Sequence, residues 1–405
     1  MAAPTEENVC TSSAQDTDAP LSATIGTTVT TGFENLACQE CKEKLGVDGR
    51  TGRGRMFFDI TINELLKINS LRGVDNMFVI VTNFKDHNFS GEKESDLKSL
   101  IDLVTQIDWF TGLEFWKCYS SYERPVAATV EACAKLEPSD QPTFRVTCHR
   151  TGTKHSFTSM EAAAQFGGSI NDNFKWRVDL SHADIDVLLN IADRDIQIAI
   201  ALTRESMHRR NITHFGSTTL RATLAYMMLR LGEIQPGDVV CDPMCGTGAI
   251  PIEAALNWPS AVHMCGDKYE HPCTHTWKNI AAVNEKRQKK SLLPISADII
   301  NWDVRCLPLR TNSVDVIVSD LVSFVPKSGS KFNNWELYHK GLTEMARICR
   351  EESGRAVLLT QDKKCMTKTI SLCKDFWKNR RTIWINQGGL QAGVYILQRT
   401  KTLLT

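Results

Sequence analysis

Four acids sit where they could do chemistry together. Asp242, Asp267, Asp303 and Asp320 each close a short apolar run: DVVCDP, AVHMCGD, SADIINWD and VDVIVSD. Between the first two acids lies VVCDPMCGTGAIPIEAAL, Val239 to Leu256. Its pattern is a strand running to Asp242, a turn through Gly246 and Gly248, and a helix starting at about Ala249. Pro251 falls in the first turn of that helix, where a missing N–H costs nothing. Glycines let backbone approach a ligand closely, and the helix start offers free N–H donors at its positive end. That end suits a carboxylate as well as a phosphate. A dinucleotide fingerprint would need a small residue at 251, and proline there argues against NAD. Asp267, roughly 20 residues beyond the glycines, is spaced to accept both hydroxyls of a ribose. Asp303 is placed to accept from an adenine amino group. Any one acid can simply cap a helix. Three at successive strand ends point to a nucleoside in the crevice where open α/β sheets bind ligands.

The fourth acid opens SDLVSFVPKSGSKFNNWELY, Ser319 to Tyr338. An acid at a strand end followed by an aromatic, here Asp320 and Phe324, is the arrangement needed to methylate an amino nitrogen. The lone pair of such a nitrogen is delocalised into its ring, so it is a poor nucleophile. A carboxylate and a backbone carbonyl aimed at its hydrogens favour a pyramidal nitrogen and stabilise the charge that develops. An aromatic ring stacked on the flipped base fixes the line of approach. A proline usually sits between acid and aromatic and presets the turn. It is missing here.

The elements that would hold these residues follow from the texture of the chain. After Arg221 a helix, LRATLAYMMLRLG, leads into alternating apolar runs and helical stretches, the signature of βαβ units on a largely parallel sheet. The end differs, because TIWINQGGLQAGVYILQR reads as an antiparallel hairpin closing that sheet. Before residue 204 the pattern is α+β. ATIGTTVTTGFENLACQECKEKLG predicts a strand, a turn and an amphipathic helix, and MFFDITINELLKI and NMFVIVTNFK predict strands flanking a helix. A second small unit has FRVTCHR as a strand, SMEAAAQFGGSI as a helix ending at glycine, and WRVDL and DVLLNIADRDIQIAIAL as strands.

The 405 residues carry 47 basic and 47 acidic side chains, so net charge makes no case for nucleic acid and only local clusters can. Those clusters place Arg145, Arg150, Lys154, Lys175, Arg209 and Arg210 as candidate phosphate contacts. KRQKK, Lys286 to Lys290, is a further basic run. Trp176 between Lys175 and Arg177 predicts a core tryptophan with the cations outside. Cys38 and Cys41, with no second pair at zinc spacing, predict packing cysteines, and no histidine spacing suggests a metal. The 14 cysteines are scattered through apparent strands and helices, which suits a reducing compartment, cytosol or nucleus. No run is long and apolar enough to predict a membrane span.

With these motifs in hand, DPMCGTGAIPIEAA, HRRNITHFGSTTLRATLAY and the α+β unit before them resemble the THUMP-domain tRNA guanosine N2-methyltransferases, from Ala23 to Thr400. The first residues, rich in Ser, Thr, Ala, Pro and acids and without apolar periodicity, predict a disordered tail (1–20), and the resemblance implies an N-terminal ferredoxin-like domain (21–125), a THUMP RNA-binding domain (126–204) and a Rossmann-type methyltransferase domain (205–405). It implies S-adenosylmethionine, with Asp242, Gly246, Thr247, Gly248 and Ala249 around its methionine end, Asp267 on the ribose and Asp303 on the adenine. It implies transfer to a guanosine in the acceptor stem of tRNA, and a small zinc-binding activator of the Trm112 type as partner. Asp320 and Phe324 become the catalytic acid and aromatic. The family loop is similar to Asp-Leu-Pro-Phe-Gly, whereas this chain has Asp320, Leu321, Val322, Ser323, Phe324 and Val325, without proline or glycine and with one residue added. The match resumes at Gly329, Ser330, Lys331, Asn334, Trp335 and Tyr338. Two alternatives stay open: a tRNA-binding protein of weakened or lost activity on the same fold, and an N-methyltransferase of another small RNA or of a protein.

Overall fold

Strands with one apolar side build the first half of the protein, and helices cover that side. In the computed structural model the described residues are 20–137, 140–153, 155–216, 218–321 and 334–403. The chain begins with β1 (Ser22–Thr28), α1 (Glu34–Leu45), β2 (Arg50–Gly52), β3 (Arg55–Thr61), a 3-10 segment (Ile62–Ser70) and β4 (Asn76–Phe84). Helices α2 (Lys93–Leu103), α3 (Phe110–Ser120) and α4 (Val130–Cys133) follow. Then come β5 (Thr143–Thr151), α5 (Ser159–Phe174), β6 (Arg177–Val178), β7 (Ile185–Ala192) and β8 (Asp195–Ala201). These strands form one eight-stranded sheet in the order β2-β3-β1-β4-β8-β7-β5-β6. The antiparallel β4–β8 ladder joins what the sequence suggests are two units, so the division at residue 125 runs across a continuous sheet.

Local details depart from the sequence reading for physical reasons. The helix expected to end at glycine continues through Gly167 and Gly168 to Phe174. Its start is fixed by a capping box between Thr158 and Glu161, and Phe166, Ile170 and Phe174 form a buried stripe beneath the sheet. That burial outweighs the ~1 kcal/mol that each interior glycine costs. The WRVDL strand shrinks to the two residues of β6.

The second half is α6 (Ala222–Leu231), β9 (Val239–Asp242), α7 (Ala249–Asn257), β10 (Val262–Asp267), α8 (Glu270–Lys289), β11 (Asp298–Asn301) and β12 (Val316–Asp320). It closes with α9 (Asn334–Ile348), β13 (Arg355–Thr360), α10 (Lys363–Leu372), β14 (Trp377–Gln387) and β15 (Leu390–Arg399). The sheet order is β11-β10-β9-β12-β13-β15-β14. The first five strands are parallel and the last two form the antiparallel hairpin. Strand order reverses beside β9, so the loops after β9 and β12 part and leave a crevice at the carboxyl ends of the strands.

The two halves share one core. A single apolar cluster runs from Ile25 and Val79 through Leu224–Leu229 of α6 to Ile250 and Val318. Polar contacts pin the same joint. Buried Asp75 accepts from Thr223 Oγ1 at 2.6 Å, and Arg230 pairs with Glu43 at 2.8 Å. Arg210 places Nε and Nη2 on the Glu253 carboxylate of α7 at 3.1 and 2.9 Å, and Asn211 Nδ2 donates to it at 2.8 Å. No helix among the described residues is long and apolar enough to cross a membrane.

Candidate active site

The loop after β9 is shaped from below by α8. Gly248 has φ +89, and a Cβ there would lie 2.7 Å from the Thr276 side chain of α8, so only glycine fits. Thr276 Oγ1 donates to Gly246 O at 3.0 Å, and Asn279 Nδ2 donates to Thr247 O at 2.9 Å. Gly246, Thr247 and Ala249 line a cavity of about 470 Å³, while Gly248 packs against Thr276. Gly266 is a second enforced glycine, because a Cβ would meet Ile300 O at 2.1 Å and the Trp302 indole at 2.6 Å. That indole donates Nε1–H to Pro243 O at 3.1 Å, tying the floor of the crevice to the loop.

The four acids surround this one cavity. Asp242 is 3% exposed; its Oδ1 accepts from Ser319 Oγ at 2.7 Å and from the Met244 N–H at 3.2 Å. Burial pushes its carboxyl up to about 7. Asp267 accepts from Gly246 N–H at 3.2 Å and Tyr269 N–H at 3.1 Å, so it sets the lower lip of the loop. Asp303 does not end its strand: β11 stops at Asn301, and Asp303 follows in a turn closed on Cys306. The Arg305 guanidinium, at 2.9 Å through Nε, holds its carboxyl well below the usual range, with Lys268 Nζ 3.3 Å away. Asp320 ends β12 on the opposite wall, where burial pushes its carboxyl up to about 7. Thr218, Thr219 and Leu220, ahead of α6, also line the cavity. Nothing in GSTTLRA beyond its small polar residues signals that role. Phe324, and with it most of the altered loop, lies outside the described residues.

The basic candidates scatter. Arg145 is spent on Asp186, with Nε and Nη2 at 3.0 and 2.6 Å. Arg150 reaches His155 O at 3.4 Å and lies over the Phe157 ring. Lys175 is exposed at the end of α5, with Nζ on Asp172 O at 2.7 Å, and Arg209 is exposed in the linker. Arg210 is a correction: Glu253 binds its guanidinium, which therefore holds the linker to α7 instead of facing solvent for a phosphate. Lys154 lies outside the described residues. Trp176 is fully buried against Trp109, Phe144 and Phe174, with Lys175 and Arg177 exposed on either side. Cys38 and Cys41 sit on α1, Cys41 buried in the core.

The charge of the crevice selects its ligand. Asp242, Asp267, Asp303, Asp320 and Glu336 line it, against Lys268 and Arg305, whose charges are directed at Asp303. A pyrophosphate would face the carboxyl oxygens of Asp242, Asp267 and Asp320, whereas the nearby cations are directed at Asp303 and, through Lys340, at Glu336. S-adenosylmethionine fits: its ammonium and sulfonium are cations, its carboxylate suits the start of α7, and its ribose diol suits Asp267. Removing that carboxylate with Asp267→Ala should weaken S-adenosylmethionine binding about 10- to 100-fold, as for a lost charged hydrogen bond. Isothermal titration checks this, and an unchanged Kd would contradict the assignment.

Fold and crevice together define an S-adenosylmethionine-dependent methyltransferase with an α+β half joined to its Rossmann-type sheet. Residues 209–392 match the model for the RMKL-like methyltransferase domain, UPF0020, and residues 126–201 match that for the THUMP domain. The chain is 42% identical to the tRNA (guanine(6)-N(2))-methyltransferase THUMP3 of Bos taurus, over 94% of this chain and 89% of that protein. It is 33% identical, over 54% of its own length and 41% of that protein, to the human U6 snRNA (guanine-N(2))-methyltransferase THUMPD2. Among solved structures, TrmN from Thermus thermophilus superposes with a TM-score of 0.66 at 22% identity, covering 93% of this chain and 99% of that one. The chain belongs to the family of THUMP-domain guanine-N2 methyltransferases.

Proposed function

We propose that this protein methylates N2 of a guanine in tRNA, at a position-6 type of site in the acceptor stem, and that Asp320 accepts a hydrogen from the target amino group. The observation that carries this is Asp320 at the end of β12, on the wall of the cofactor cavity opposite Asp267. When bound, S-adenosylmethionine supplies an electrophilic methyl carbon. The Asp320 carboxylate accepts from N2–H, draws the nitrogen toward a pyramidal form and balances its growing positive charge; as the methyl would pass to N2 its bond to sulfur would break to leave a neutral thioether, and Asp320 would take the surplus N2 proton. Asp242, braced by Ser319, keeps the glycine loop in register with it. The shared core across α6 holds the RNA-binding sheet at a fixed distance from the crevice, so one end of an RNA can be gripped while a chosen base reaches Asp320.

The carboxyl of Asp320 must be ionised to accept. Its value is raised by burial to about 7, so activity should rise with pH through that region and level off above it. A kcat–pH profile checks the sign. Activity that falls steadily from pH 6 to 8, on the order of the titration range, would contradict an ionised Asp320.

The tRNA reading is supported by relatives that cover most of this chain, whereas the U6 snRNA relatives match over about half of it. Methyl transfer to tRNA in competition with U6 snRNA tests the choice: tRNA is expected to be the preferred acceptor, and preference for the snRNA overturns it. A Trm112-type activator is part of the same proposal. Strand β11 is a terminal strand of its sheet, with Leu292 and Leu293 exposed beside it, a site suited to strand addition by a partner. Cytosolic or nuclear residence completes the proposal.

A further inference from the structure

A run of positive charge lies outside the basic clusters that the sequence singles out. Lys363 to Arg381, KKCMTKTISLCKDFWKNRR, carries seven cations and one acid, Asp375. The run covers α10 and the first part of β14, a terminal strand of the second sheet. Six of the seven cations are exposed and Lys363 is half-buried. Among the described residues none of them pairs with a carboxylate. One acid cannot balance seven cations, so this face stays positive. Trp384 stands in the same face. Ile383 and Ile385 of β14 point into the core shared by the two halves, so alternation turns Trp384 to the α10 side, where it is 54% exposed. Gly393 opposite it makes the room, since a Cβ there would lie 2.9 Å from the indole. Lys363 Nζ is 4.8 Å from the indole centroid and 2.9 Å from Gln391 Oε1. Covering Gly393 accounts for where the indole sits, but not for an apolar ring left open to solvent among lysines.

This face reaches from the joint between the halves to the rim of the crevice. At one end Asn386 N–H donates to Thr31 O of the first half at 3.1 Å. At the other, Lys368 Nζ is 4.0 Å from the Trp335 ring centroid on α9, and the next two residues, Glu336 and Leu337, line the cofactor cavity. We propose that this face of α10 and β14 is an RNA-binding surface, with Lys363, Lys364 and Lys368 on backbone phosphates and a base stacked on Trp384. Lysines neutralise phosphates and release their counterions, and an aromatic face stacks on any base, so the pair holds a strand without reading its sequence. An acidic protein would satisfy the lysines without needing a flat ring to stack on. The proposal rests on the reading that the substrate is tRNA, and it adds where the strand runs between the first half and the crevice.

A triple variant, Lys363→Gln with Lys364→Gln and Lys368→Gln, should bind fluorescein-labelled unmodified tRNA about 10- to 100-fold more weakly at low salt, and its slope of log Kd against log salt should be shallower by about 2 to 3. Trp384→Ala should weaken binding about 5- to 100-fold, and Trp384→Phe, which keeps a ring to stack on, should recover most of it. In methyl transfer, KM for tRNA should rise in step with Kd, with kcat and the Kd for S-adenosylmethionine within about 3-fold of wild type. The lysines are at the surface, so the triple variant carries the test even if Trp384→Ala lowers Tm. The proposal is overturned if the triple variant keeps the wild-type affinity and salt slope, or if Trp384→Ala binds as tightly as wild type or no more weakly than Trp384→Phe. A wild type that binds tRNA through this face yet methylates no guanine N2 removes the amino-methylation reading alone; the outcomes that overturn the surface, seen with an active wild type, remove the surface alone.

Discussion

Asp320→Ala should lower kcat for methyl transfer by about 100- to 10,000-fold, the range for loss of a positioned proton acceptor, and leave S-adenosylmethionine binding nearly intact. The separation follows from geometry. Asp320 is on the wall formed by β12, whereas the loop that would hold the methionine end is organised by Asp242, Asp267 and the side chains of Thr276 and Asn279. Asp320→Asn should be milder, because the amide keeps one acceptor oxygen. It should also flatten the rise of activity with pH near 7, leaving only the contribution of Asp242, whose carboxyl burial likewise pushes up to about 7. Single-turnover rates beside calorimetric binding constants measure both. Comparable loss of binding and of rate in Asp320→Ala would assign the residue to the cofactor instead.

The largest expected loss of stability comes from Glu253, about one turn along α7 from the cavity-lining Ala249. Its side chain is 1% exposed and that of Arg210 12% exposed, and the pair is bidentate. Asn211 donates to the same carboxylate, and Asn257 Nδ2 donates to it at 3.3 Å. Glu253→Ala leaves a buried guanidinium and the Asn211 amide without their acceptor, while Asn257 keeps the Glu253 carbonyl at 2.8 Å, at a cost of about 3–5 kcal/mol. Urea denaturation should show the midpoint falling with little change in slope. Replacing both partners with apolar residues, Arg210→Met with Glu253→Leu, should recover most of the loss, because no uncompensated charge remains. If Glu253→Ala costs less than about 1 kcal/mol, the pair behaves as a surface bridge and the joint is held by apolar contacts alone.

What could be read from the residues, and what could not, divides by range. The parallel sheet, its closing hairpin and the turn through Gly246 and Gly248 come from local periodicity and local backbone demands. An acid placed at a strand end is equally local, which is why Asp242, Asp267 and Asp320 could be picked out. The strand before Asp303 reads two residues too long, because the run SADIINWD gives no sign that pairing with β10 stops at Asn301. Long-range partners are a different matter. Arg210 looks like a phosphate ligand until Glu253, 43 residues away, is folded against it. The β4–β8 ladder joins segments more than 100 residues apart, with Phe78 opposite Ala201, and no linker composition could reveal it. Glycines inside α5 read as a stop because their propensity is local, while the burial that overrides it comes from the sheet. The altered loop teaches the same point. Its missing proline is visible in the sequence, but the bond from Tyr338 to the Leu321 carbonyl appears only after α9 and β13 pack.

With Asp320 as acceptor, the crevice is expected to place the methyl group on guanine N2. It is measured by mass spectrometry of nucleosides and of ribonuclease fragments from unmodified tRNA, incubated with S-adenosylmethionine and either wild-type protein or Asp320→Ala, with and without the proposed Trm112-type activator. N2-methylguanosine is expected in the acceptor-stem fragment with wild type and is expected to be nearly absent with the variant. A methyl group on another atom, or an equal yield from Asp320→Ala, would contradict it.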